Sequence, residues 1–188
     1  MLEIILAVLS ISAAGSLRSA LPLLIVLLYG ENLWQQVPFL SQIAPSIVFG
    51  FLVSWSLVEL FASKDRLGQR LLQIIQLIAS PLIGGMFGVA IAKVTEQPHW
   101  LVVVLAGIGG SLALVLQLVQ LGWFYRMGRL PLWAIFAQDA ACVILVLLAF
   151  DAPTQGGLIA LVLLWLAIRS AQAWRDWQRS APRLSDPD

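Results

Sequence analysis

The chain has 188 residues, of which 60% are hydrophobic and only 11% charged, against about 25% charged in an ordinary soluble domain. So much apolar surface cannot be hidden in a water-soluble core of this size, because too few polar side chains remain to cover it. The net charge of +1 excludes a general attraction to nucleic acid, the single cysteine (Cys142) excludes an internal disulfide, and the single histidine (His99) leaves a metal site without ligands.

About 20 apolar residues cross a hydrocarbon core of about 30 Å, and six stretches reach or approach that length. The first covers residues 2–29. Glu3 stands where a cleaved signal peptide would be basic, and the apolar run continues past Ala14, so the segment is expected to remain as a span. As one straight helix it would measure roughly 42 Å, and Gly15 and Pro22 predict a kink or break within it.

The second span covers 43–62. Ahead of the third, 77–92, Gln69, Gln73, Gln76 and Ser80 recur at helical spacing opposite Leu71, Leu72, Ile75 and Leu77. Two readings are open there. One is a helix lying in the interface that turns inward at Pro81; the other is one long tilted helix with a polar stripe against its neighbours. The remaining spans cover 101–121, 133–150 and 157–173. One membrane domain is therefore expected over 1–175, with a short polar cytoplasmic tail over 176–188.

Basic residues orient the chain. With the N-terminus inside, Lys64, Arg66, Arg70, Arg126, Arg129, Arg169, Arg175, Arg179 and Arg183 all fall on the cytoplasmic side, leaving Lys93 alone outside. Six of the eight Trp fall near the predicted membrane surfaces, where an apolar ring with one N–H is best placed: Trp34, Trp100, Trp123, Trp133, Trp174 and Trp177. The expected fold class is all-α, a polytopic helical membrane bundle of about six transmembrane helices with the N- and C-termini both cytoplasmic.

Small residues mark where helices pack closely in lipid: Gly84, Gly85 and Gly88; Gly107, Gly109, Gly110 and Ser111; Gly156 and Gly157. Gly15-Ser16-Leu17 recurs as Gly110-Ser111-Leu112, and Pro81-x-x-Gly84-Gly85 as Pro153-x-x-Gly156-Gly157. This echo is compatible with inverted three-helix repeats, although its offsets differ.

Three ionisable residues lie inside the apolar spans: Arg18, Glu59 and Asp139. An unpaired charge at that depth costs about 2.5–3.5 kcal/mol on insertion scales. Glu59 and Asp139 are expected in the inner half of the membrane and Arg18 nearer the middle. Arg18 is expected to pair with Asp139 or Glu59, with Gln117, Gln120 or Gln138 completing the hydrogen bonds. Glu59, close to a loop, is read as reaching back to the interface. Arg18 and Asp139 are the stronger candidates for a functional role. His99 reads as a loop residue. No nucleophile–base arrangement, metal-ligand pair or phosphate-cradling loop is present, so neither enzymatic activity nor a cofactor is expected.

Ser12-Ala13-Ala14-Gly15-Ser16-Leu17-Arg18-Ser19-Ala20-Leu21-Pro22 resembles the Ala-Gly-Leu-Arg…Pro opening of a family of small bacterial membrane proteins, domain of unknown function 4126. Leu57-Val58-Glu59-Leu60 is similar to its Leu-Glu-Leu segment, Ser80-Pro81-Leu82 to its Arg-Pro-Val/Ile segment, and Gln138-Asp139 to its Glu-Asp pair. The similarity runs from about Leu2 to Arg169. It implies that Arg18, Glu59 and Asp139 belong to the family's polar signature. It also implies the bacterial inner (plasma) membrane, or the thylakoid membrane of a cyanobacterium. Gln138 replaces an acid of the family, and where the family's Glu is followed by further acidic residues and a Pro, this chain has Ser63-Lys64-Asp65-Arg66-Leu67-Gly68.

Two functions are compatible with these residues. The depleted acids, the small-residue helix faces and the basic, Trp-bearing segment 169–183 point to an accessory or assembly subunit of a larger membrane complex. The interrupted first span, the possible inverted halves and the buried charges point instead to a small transporter or channel for an ion or small anionic solute, a homo-oligomer such as a dimer.

Overall fold

Every residue from Leu6 to Ser16 of the first helix, α1 (Leu2–Leu17), is buried. The sequence explains this: Ser10, Ser12, Ala13, Ala14, Gly15 and Ser16 are small enough to let other helices approach from all sides. The structure is a computed structural model that describes residues 1–29, 31–62, 66–127 and 132–180. Around α1 stand α5 (Arg66–Val94), α6 (His99–Met127), α7 (Leu132–Asp151) and α8 (Pro153–Ser180), each in contact with it. These four are long and apolar enough to cross a membrane. Between α1 and α5 the chain forms α2 (Ala20–Tyr29), the short α3 (Glu31–Trp34), a 3₁₀ turn (Leu40–Gln42) and α4 (Pro45–Ala62). The result is an all-helical membrane bundle.

The first apolar stretch is not one span. The chain leaves the helix at Arg18, whose backbone is extended (φ −142°, ψ 138°), and α2 then runs back beside α1. Leu28 and Tyr29 consequently line the same cavity as Glu3 and Ile4. The break falls at neither Gly15 nor Pro22. Gly15 lies within α1, and Pro22 sits in the first turn of α2, where a missing N–H removes no helical bond.

This reversal corrects the expected placement of the termini. Ser10 reaches Leu145 and Arg18 reaches Asp139, so α1 and α7 are antiparallel. Gly157 packs on Leu6, while Leu17 lines a cavity with Leu166 and Ala167, so α1 and α8 are parallel. The start of α1 and the end of α8 therefore lie on opposite faces. The N-terminus shares its face with the α5–α6 connection, which carries Lys93, and the C-terminal end of α8 lies on the other, basic face. Lys64, Arg129 and Arg183, together with the last eight positions of the expected tail, lie outside the described residues. The backbone of α8 continues to Ser180, past the expected tail boundary.

Of the two readings of the third span, the long helix is the observed one. α5 passes through Pro81 unbroken, and Gln73, Gln76 and Ser80 are buried against neighbours. α5 and α6 share the most extensive helix–helix contact among the described residues. A Cβ on Gly88 would stand 2.4 Å from the Leu105 carbonyl oxygen, and one on Gly84 2.5 Å from that of Gly109. Gly109 and Gly110 make the reciprocal approaches to Gly84 and Pro81, and Gly156 and Gly157 seat α8 on Ser10 and Leu6. A Cβ on Gly85 would make ordinary contact, 3.5 Å from the Ala106 carbonyl oxygen, and one on Gly107 would meet no other helix among the described residues within 4 Å, so the expected packing role of Gly107 is not observed.

The internal echo does not correspond to an inverted repeat. Ser12 meets both Gly84 and Gly109, and Ser16 meets Gln120, which makes α1 and α6 parallel rather than opposed. Pro81 lies in mid-helix, whereas Pro153 opens α8. α5 ends in a tight cap: Gln97 N–H bonds the Ala92 carbonyl at 2.9 Å, Glu96 N–H bonds that of Lys93 at 3.1 Å, and Glu96 takes a left-handed φ of 52°.

Candidate functional site

Breaking a helix inside an apolar bundle strands backbone carbonyls that would otherwise bond four residues ahead. Side chains from two neighbouring helices donate to carbonyls of this last turn, of which that of Ser16 has lost its helical partner. Gln120 Nε2 of α6 donates to the Ser16 carbonyl at 3.4 Å, and Cys142 Sγ of α7 donates to that of Ala14 at 3.5 Å. The Arg18 N–H also bonds the Ala14 carbonyl, at 3.2 Å.

On one side of the break lies Arg18, buried, with its Nε donating to Asp139 Oδ1 on α7. On the other side lies Ser19, whose hydroxyl donates to Glu59 Oε1 on α4. The Trp55 indole N–H is shared between Ser19 Oγ (3.1 Å) and Glu59 Oε1 (3.0 Å), and Gln76 Nε2 of α5 reaches the same oxygen at 3.5 Å. Trp55 and Glu59 meet because residues four apart share a helix face. The charges also suit the half-helix ends. Arg18 sits at the negative C-terminal end of α1, and Glu59 at the positive N-terminal end of α2.

A second tier of amides lies beside this. Gln117 Nε2 donates to Gln73 Oε1 at 3.2 Å, and Gln138 Nε2 to Gln120 Oε1 at 3.4 Å. Gln117 is fully buried and its Oε1 has no partner among the described residues.

The structure thus brings Arg18 to Asp139 and not to Glu59. It corrects three other expectations. Glu59 does not reach for the interface: it is 2% exposed and held by three donors. Arg18 lies at the level of Asp139 and Glu59 rather than nearer the middle, because α1 starts on the opposite face. Gln117, Gln120 and Gln138 make none of the described hydrogen bonds to the ion pair: Gln120 serves the α1 terminus, Gln138 serves Gln120, and Gln117 serves Gln73. Ser19, Trp55, Gln73 and Cys142 were absent from the expected cluster. The signal for Trp55 was present: it is one of the two Trp without a place at a predicted membrane surface.

Cavities open beside α1 toward both ends of the bundle. One of about 780 Å³ opens beside the N-terminus between α1, α2, α5 and α7, with Glu3, Tyr29, Asn32 and Thr95 near its mouth and Ile11 at its deepest point on α1. Another of about 240 Å³ lies toward the basic face and is lined by Leu17, Gln120, Trp123, Gln138 and Ser170. Ile11 to Leu17, about 9 Å of helix, separates them.

A helix break with charged residues at it, enclosed by four helices long and apolar enough to cross a membrane, fits a multi-pass membrane protein. The chain belongs to the family described as Domain of unknown function (DUF4126), whose model matches residues 5–173, a stretch that includes Arg18, Glu59 and Asp139. No curated protein and no solved structure matches it.

Proposed function

We propose that the protein carries an ion or small anionic solute across its membrane, with the α1–α2 break as the gate. The observation behind this reading is the break itself. It places Arg18 and Ser19 between two carboxylates, inside the bundle, directly after Leu17, which lines the cavity on the basic-face side. Interrupted helices whose ends face ions or substrates are the recurring device of membrane transporters, and ionisable groups at that depth commonly line pathways. An anion would exchange with Asp139 for the Arg18 guanidinium.

Purified protein in proteoliposomes tests it. Flux of small inorganic or organic anions, or of protons, is expected, and is expected to vanish in Arg18→Leu. Absence of flux for every such solute in the folded wild-type protein rejects the reading.

A second reading, an accessory subunit of a larger complex or a homo-oligomer, draws on α4. That helix packs chiefly on α2 and α5, turns Ile47, Phe51, Leu57 and Val58 outward, and flanks an apolar cleft of about 500 Å³. Its test is native mass after gentle solubilisation; a stable large complex containing other chains would favour it.

A further inference from the structure

We infer that the cavity beside the start of α1 is a phospholipid site, holding one acyl chain down to Ile11 and the primary ammonium headgroup of that lipid at Glu3. The site stands whether or not the protein transports a solute.

The sequence builds the walls. Ile4, Ala7 and Ile11 recur at helical spacing and so present one apolar stripe of α1 to the cavity. Ile91 of α5 and Leu33 of α3 supply further walls, and both are buried. From Glu3 to Ile11 the stripe runs about 12 Å along the helix, and Ile11 at its foot is fully buried. The volume of about 780 Å³ lies within the roughly 300–1,000 Å³ of sites that enclose a small organic ligand.

Such a space suits hydrocarbon better than water. An internal water needs about 2–4 polar partners, whereas the lining below the mouth is made of aliphatic side chains. An apolar chain needs none, and the apolar chain at hand in a bilayer is that of a lipid.

The mouth differs from the walls. α1 begins there, α2 and α5 end there, and α7 gives way to α8, since Glu3, Tyr29, Thr95, Phe150 and Pro153 all border the same cavity. Converging helix ends place the mouth at the membrane surface, where lipid headgroups lie. Glu3 puts a carboxylate on this rim, and the Tyr29 hydroxyl and the Asn32 amide oxygen are further acceptors on it; all three side chains are exposed. Three acceptors match an ammonium group, which carries three N–H donors and no acceptor. The negative charge of Glu3 attracts such a head and repels one whose only charge is a phosphate. The Tyr29 ring adds an aromatic face of the kind that attracts cations. Glu3 also suits the positive end of the α1 dipole, but that role alone is indifferent to the headgroup.

The experiment is native mass spectrometry of the whole protein released from vesicles of equal phosphatidylethanolamine and phosphatidylglycerol. One tightly held phospholipid is expected on the wild type, with the ethanolamine head favoured about threefold, as a partly exposed ion pair allows. Glu3→Gln is expected to keep a lipid and lose the preference. Ala7→Phe, which puts a ring into the cavity, is expected to lose the lipid. A phosphatidylethanolamine with a photoreactive diazirine at the end of its acyl chain covers the case in which Ala7→Phe does not fold: crosslinks are expected at Ile11 or Ile91. The inference is overturned by a wild type that retains no phospholipid, by equal retention of the two headgroups, or by a preference that persists in Glu3→Gln. Lipid retained by folded Ala7→Phe, or crosslinks confined to outward-facing side chains such as Ile78 and Val103, overturns it equally.

Discussion

Arg18 and Asp139, 121 residues apart in the chain, form an ion pair that ties the break after α1 to the middle of α7. Removing one partner leaves the other charge buried alone, which typically costs about 3–5 kcal/mol, whereas replacing both with apolar groups is often neutral. Asp139 keeps 24% of its side chain accessible, which brings the single-variant cost toward the lower end. Arg18→Leu and Asp139→Leu are each expected to be strongly destabilised and the double variant to recover most of the loss. A double-mutant cycle from unfolding in detergent measures the coupling. All three variants are expected to lose flux, so the double variant separates stability from activity.

Gly88 and Gly107 make a matched pair for testing the α5–α6 contact. Gly88→Ala drives a methyl into the Leu105 backbone and is expected to destabilise by about 1–3 kcal/mol. Gly107→Ala enters open space and is expected to be neutral or mildly stabilising, since Ala is the better helix former by about 1 kcal/mol. Thermal denaturation of the two proteins side by side gives the comparison; equal losses would contradict the close-packed geometry.

The opposed termini can be read by labelling. Cys142 is buried, so single cysteines placed elsewhere report almost alone. Leu2→Cys and Gln155→Cys are expected to react with an impermeant maleimide from the same side of the membrane, and Gln172→Cys from the other. Equal access for positions 2 and 172 would restore the arrangement with both termini on one face.

Glu96 occupies the left-handed position that closes α5. A side chain there costs roughly 1–2 kcal/mol relative to glycine. Glu96→Gly is therefore expected to stabilise the protein by about 1 kcal/mol, visible as a raised melting temperature with flux unchanged.

Much of this was legible in the sequence, and the reasons are physical. Arg18 and Asp139 stand out because a charge in an apolar run needs a partner, and Gly84, Gly88 and Gly109 because only close approach rewards such small residues. The reversal at Arg18–Ser19 was not legible. Hydropathy over residues 2–29 is the same for one long helix as for two short ones folded together, and the breakers Gly15 and Pro22 stand on either side of the actual break. Nor did the basic residues expose the error. There is no Lys or Arg before Arg18, so turning the first helix over leaves the distribution of positive charge across the two faces unchanged. Glu59 was misjudged for a related reason. Its nearness to a loop in sequence says nothing of Ser19, which only the reversal brings to it.

The burial of α1 on every side also bears on how the protein is made. α1 leaves the ribosome before α5, α6, α7 and α8, the four long helices that enclose it. With 16 residues and hydroxyls at Ser10, Ser12 and Ser16, it is poorly suited to wait alone in lipid. Assembly must therefore close a ring around a segment made earlier, and a nascent protein halted before α8 would hold α1 with one wall still open.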